Sequence, residues 1–87
     1  MTAGELNTMA SELKITLDIL KALLLSYGDE YATPTDKEIM LNLKARPGVA
    51  GALYAAVEDY AAKALRQAEA LDKITMELLR DKQENAQ

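Results

Sequence analysis

Neither cysteine nor histidine occurs among the 87 residues, and these two absences remove most of the familiar chemistry of protein sites. Without cysteine there is no disulfide, no thiolate nucleophile and no Cys-type zinc site. Without histidine the commonest general base, pH switch and imidazole metal ligand are missing. Phenylalanine and tryptophan are absent as well, so four tyrosines are the only aromatic side chains. The most apolar run, Ile19 to Leu25, is short and interrupted by Lys21, whereas a bilayer span needs roughly 20 apolar residues; no membrane association is expected. The opening stretch MTAGELNTMASELK has neither the basic start nor the continuous apolar segment of an export signal, which points to a cytoplasmic protein.

Positive charge is in deficit too. Ten Lys and Arg stand against fourteen Asp and Glu, a net charge of −4, and such a field repels a polyanion. Nucleic acid is therefore a poor default partner. Ser11 and Ser26 are the only serines and lack the base that would activate them. Asp29, Glu30 and Asp36 gather near one loop, but solvated acidic loops far outnumber cation sites. The expectation is no enzyme activity, no catalytic residue, no cofactor and no metal.

What the chain does have is helix-forming material. AVILMFWYC make up 49% and DEKR 28%, values typical of a folded domain and not of a disordered one. At this length it is one domain, and a domain so small folds with little margin. Thr2 with Glu5 and Thr35 with Glu38 match the capping box that opens a helix. Gly28 and Pro34 punctuate the first helix, and Arg46-Pro47-Gly48 the second, with Pro47 suited to the first turn of the third. The reading is all-α: helix 1 over about 3–28, helix 2 over about 36–45, and a long C-terminal helix 3 over about 48–84.

In helix 1, Leu6, Ala10, Leu13, Leu17, Leu20, Leu24, Tyr27 and Tyr31 repeat at alternating spacings of four and three, the seam of a helix packed along another helix. Met9, Ile19 and Leu23 add a second row, so this helix is expected to meet two neighbours. In helix 3, Val49, Leu53, Val57, Tyr60, Ala64, Leu71, Ile74 and Leu78 fall in one arc, with Glu58, Asp59, Lys63, Arg66, Glu69, Lys73, Glu77 and Arg80 opposite.

Helix 3 is longer than helices 1 and 2 can shelter, which leaves Leu71, Ile74, Leu78 and Leu79 as an apolar patch seeking a partner. A dimeric helical bundle with two-fold symmetry, the commonest closed arrangement, would cover it. Tyr27, Tyr31 and Tyr54, with large contact areas and water-tolerant hydroxyls, are expected at one end as further contacts for a protein partner. The function indicated is a non-enzymatic interaction module, such as an adaptor, chaperone-like protein or assembly factor, that works as a homodimer. Two alternatives are an acidic inhibitor or antidote that sequesters a basic partner and a small nucleic-acid-binding regulator. The last rests on the superficial helix-turn-helix look of helix 2 and helix 3, but Val49 to Val57 offers no side chain that reads base edges.

Overall fold

A computed structural model describes residues 2–85. Three helices, α1 (Ala3–Tyr31), α2 (Asp36–Ala45) and α3 (Val49–Asn85), account for the described chain, which contains no strand. The fold is all-α. α1 and α3 pack against each other, and short α2 touches the end of α1. The molecule is a rod of 66 × 19 × 15 Å, a helical hairpin with one short helix at its turn.

The helix starts follow from the two threonines. Thr2 Oγ1 accepts from the Glu5 amide at 3.1 Å and Thr35 Oγ1 from the Glu38 amide at 3.3 Å, each satisfying an amide left orphaned at a helix start. α1 runs through Gly28 and ends at Tyr31, beyond the expected 28, because Gly28 stays helical and its carbonyl collects the terminating bonds. It accepts from the amides of Ala32 and Thr33 at 3.1 and 2.8 Å and from the Thr33 hydroxyl at 2.8 Å.

The second break works differently from the expectation for Pro47. Pro47 precedes α3 and does not enter its first turn. The Val49 amide donates to the Arg46 carbonyl at 3.3 Å across Pro47 and Gly48, and Gly48 has φ of +84°, the pairing of a type II turn. An added Cβ at Gly48 would meet nothing within 4 Å, so the cost of a side chain there is conformational. Gly48→Ala is expected to lose about 1–2 kcal/mol, read as a lower urea midpoint with an unchanged m-value.

The hairpin seam corrects the helix 1 register. Leu6, Met9, Leu13, Thr16, Leu20, Leu23, Tyr27 and Glu30 form a row of half-buried or buried positions on α1, with Gly28 and Tyr31 also covered at its end; Leu17 and Leu24 are 46% and 50% exposed. The seam steps by three then four, so its second row is Met9, Thr16 and Leu23 in place of Ala10, Leu17 and Leu24. On α3 the matching row is Leu53, Val57, Tyr60, Ala64, Gln67, Leu71 and Ile74. Nearly all of the expected arc is in place, with polar Gln67 added and Leu78 left exposed. α1 packs along one long neighbour only.

The core is thin. Thr16, Tyr31 and Ala64 are the buried side chains among the described residues, with Thr16 only 2% exposed. Thr16 can be buried because its hydroxyl donates to the Glu12 carbonyl at 3.1 Å, which satisfies the group locally. Ala64 on α3 is buried as well, and a side chain so small permits a short interaxial distance. No described helix is long and apolar enough to cross a membrane.

Candidate interaction surface

At the turn end, the three expected tyrosines come together. The Tyr27 ring lies 5.6 Å from that of Tyr31 and 6.2 Å from that of Tyr54, both tilted, a favourable geometry for aromatic pairs. Their exposure differs: Tyr31 is buried, Tyr27 half-buried and Tyr54 exposed. Tyr31 therefore supports the cluster from beneath, and Tyr54 is its outward member.

Glu30 ties the same end to α2. Its carbonyl accepts from Asn42 Nδ2 at 2.8 Å and its carboxylate pairs with Arg46 at 2.9 Å. Arg46 is thereby engaged within the chain.

Two of the tyrosine hydroxyls are held in the neutral form. Burial, and after it the Glu30 carboxylate, raises the Tyr31 hydroxyl above its ordinary value; a hydrogen bond to Glu58, with that carboxylate's charge, does the same for Tyr54. A group whose folded pKa lies above its unfolded value adds stability that is present below the unfolded value, near 10 for tyrosine, and is lost as pH rises through the folded one. Absorbance at 295 nm is expected to show late tyrosinate formation, with Tyr31→Phe and Glu58→Gln each removing part of the late signal, and the urea midpoint is expected to fall above about pH 10.

Along the hairpin, the apolar side chains left out of the seam sort onto two flanks. Leu17 and Leu24 share one side of α1, seven residues apart. Ile15 and Ile19 lie across the seam from them, about 100° per residue apart along the helix. Ile15, Ile19 and Glu12 line a shallow dimple with Thr16, Lys63 and Gln67 of the seam and of α3, which locates the Ile flank. The Leu flank continues on α3 through Tyr54, Ala61, Leu65 and Ala68, all exposed, with Leu65 at 60%. Its rims carry opposite charge: Lys14 and Lys21 on α1, Glu58 and Asp72 on α3.

The C-terminal patch is only partly open. Leu71 and Ile74 are half-buried, while Leu78 and Leu79 are exposed. With Tyr27 level with Tyr54, the first turns of α1 come opposite Leu71 and Ile74, and α3, about 55 Å long against about 43 Å for α1, overhangs past them. The larger apolar surface runs along the flanks. Leu17, Leu24 and Leu65 belong to it; periodicity places Leu17 and Leu24 in the helix 1 seam, because a four-three spacing fits them as well, and gives Leu65 no role.

No family model, no curated protein and no solved structure matches this chain. Its surface chemistry is thus the basis for a functional reading. Among the described residues no group of three or more metal-ligating side chains converges. Ion pairs among the described residues are sparse: Lys14 with Asp18 at 2.8 Å within α1, and Arg46 with Glu30 between the end of α2 and α1. Lys63 stands 5.8 Å over the Tyr60 ring, a weak cation–π contact, rather than on Asp59 one turn before it. What the rod offers another molecule is exposed aliphatic surface with charged edges.

Proposed function

We propose that the chain is a non-enzymatic helical interaction module that functions as a homodimer and presents helix surface to a further protein partner, as an adaptor or assembly factor does. The observation that supports this is the surface left open. The chain exposes 6580 Å², about 1,500 Å² more than the roughly 5,000 Å² usual for a folded monomer of its mass. Part of the excess reflects the rod shape, but its composition is informative: Ile15, Leu17, Leu24, Leu65 and Leu79 are all exposed large aliphatics. Burying about 1,000 Å² or more per chain corresponds to an obligate-type dimer.

Two-fold association is the ordinary way a small helical hairpin acquires a full core. Light scattering coupled to size exclusion at micromolar concentration is expected to give twice the 9.5 kDa chain mass. A single 9.5 kDa species at all concentrations up to 100 μM would end this reading.

A further inference from the structure

We propose that the second copy docks on the Leu17/Leu24/Leu65 flank with the two-fold axis parallel to the helices, so that α1 of each chain lies against α3 of the other and both α2 helices sit at the same end. This rests on the homodimer reading and adds to it the face, the direction and the register.

Two hairpins joined through the same flank can be related in two ways. An axis across the helices stacks α1 on the other α1 and α3 on the other α3, with the turns at opposite ends. An axis along the helices stacks α1 on the other chain's α3, with the turns together. Both make every neighbouring pair antiparallel, so helix direction does not choose between them. Side-chain size and charge do.

Size is the first discriminator. The flank carries Leu17 and Leu24 on α1, and on α3 the small Ala61 and Ala68 with Leu65 between them. The crosswise axis would press Leu17 and Leu24 on their own copies and set the alanines against alanines, overfilling one layer and underfilling the other, and both faults destabilise a packed interior. The lengthwise axis places Leu17 in the gap that Ala61 and Ala68 leave beside Leu65. Ala61 and Ala68 then have a packing role that helix propensity alone does not give them.

Charge is the second, and is independent of size. Lys21, and Lys14 with its charge already paired to Asp18 of the same helix at 2.8 Å, edge this flank on α1, and Glu58 and Asp72 edge it on α3, all exposed. Of the two lysines, Lys21 is the one without an ion pair among the described residues. The crosswise axis brings lysine rim to lysine rim and carboxylate rim to carboxylate rim, a like-charge juxtaposition that opposes association. The lengthwise axis brings each lysine rim onto a carboxylate rim.

The register then has no free parameter. Rotation about an axis parallel to the helices leaves height unchanged, so the chain's own pairing sets the pairing between chains. The Tyr27 and Tyr54 rings are 6.2 Å apart, which puts these residues at the same height to within about one helical turn. Counting equally from them, Lys21 is level with residue 60 and Leu17 with residue 64. Lys21 of one chain therefore comes within about one helical turn of the second copy's Glu58, and Leu17 packs beside its Leu65 between its Ala61 and Ala68. The Ile15/Ile19 flank stays open on the outside of the four-helix assembly.

The absence of cysteine makes a clean test possible. Lys21→Cys and Glu58→Cys are prepared as separate chains, mixed, allowed to exchange, and treated with a short bismaleimide. The expected result is a covalent pair containing one chain of each kind, with neither variant linking to itself. A nitroxide on Asp36→Cys is expected to report a separation on the order of the bundle's ~20 Å cross-section, and not one approaching the 66 Å rod length. Self-linking of either variant, or a separation near the rod length, overturns the lengthwise axis. A dimer in which Ile15→Cys links to itself overturns the choice of flank. A monomer by light scattering overturns the homodimer reading underneath, and is told apart from the other failures by mass alone.

Discussion

In the proposed dimer, Leu17→Asp and Leu65→Asp are each expected to leave only a 9.5 kDa species, while Ile15→Asp is expected to leave the dimer mass unchanged. All three side chains are large aliphatics at least 46% exposed in the single chain, so each substitution removes only a partial contact within the hairpin, and helicity by circular dichroism checks that the fold survives. They differ only in flank. Full burial of a leucine contributes about 2 kcal/mol. Leu17 is only 46% exposed in the single chain, so docking adds about 1 kcal/mol per copy. Since a two-fold interface contains it twice, its loss costs about 2 kcal/mol, roughly one to two decades in Kd. A carboxylate placed in the contact adds its desolvation to that loss. Sedimentation equilibrium of the three variants is the measurement. If Ile15→Asp dissociates the protein and Leu17→Asp does not, the flank assignment is reversed; if none does, the apolar flanks have no part in assembly. Substitutions at Leu71 or Ile74 would be poor probes, because both are half-buried in the hairpin seam and their loss damages the fold itself.

Much of the architecture is legible in the residues, and the failure in α1 shows where legibility stops. The capping threonines, Pro34 and the Pro47-Gly48 pair locate the breaks because each acts on the backbone beside it. The arc on α3 is legible because its charged residues crowd the opposite face and leave one choice. α1 carries leucine or isoleucine around most of its circumference, so spacings of four-three and three-four both read as a seam.

What decides between the two seams is the partner helix, a non-local term absent from any window of α1. Thr16 looks like a surface residue by type, yet it is the most buried of the described side chains; its hydroxyl closes back onto its own helix and removes the penalty for burial. Gln67 lies beside it in the same dimple. Two polar seam residues at matching heights on α1 and α3 were the available clue to the register. The tyrosine cluster was legible because Tyr27 and Tyr31 end one helix while Tyr54 nearly begins the next, and a hairpin must bring such ends together. How deeply each ring is buried follows from α2 and Glu30, and not from spacing.

The layer around Thr16 is also where the largest stability effects are expected, with opposite signs at neighbouring positions. Ala64 is 7% exposed in the seam, and Ala64→Leu leaves no room for the larger side chain unless α1 and α3 move apart. Overpacking of this kind costs about 1–3 kcal/mol, or a fall in Tm of about 10 °C for a chain of this size. Gln67→Leu acts the other way. Gln67 Oε1 is buried without a hydrogen-bond partner, and such an atom carries a desolvation penalty of about 1–3 kcal/mol that an apolar side chain of similar volume does not. The variant is expected to raise Tm by about 5 °C. Thermal unfolding followed by circular dichroism checks both. A destabilised Gln67→Leu would show that the amide is satisfied in solution, and an unchanged Ala64→Leu would show that the helices are not in close contact there. The polar layer has a cost in stability and marks one height along an otherwise repetitive leucine seam, and sliding α1 by a heptad would bury Thr16 and Gln67 against leucines. Gln67→Leu should therefore be more stable and less well defined in register, visible as broadened amide resonances confined to the middle of α1 and α3.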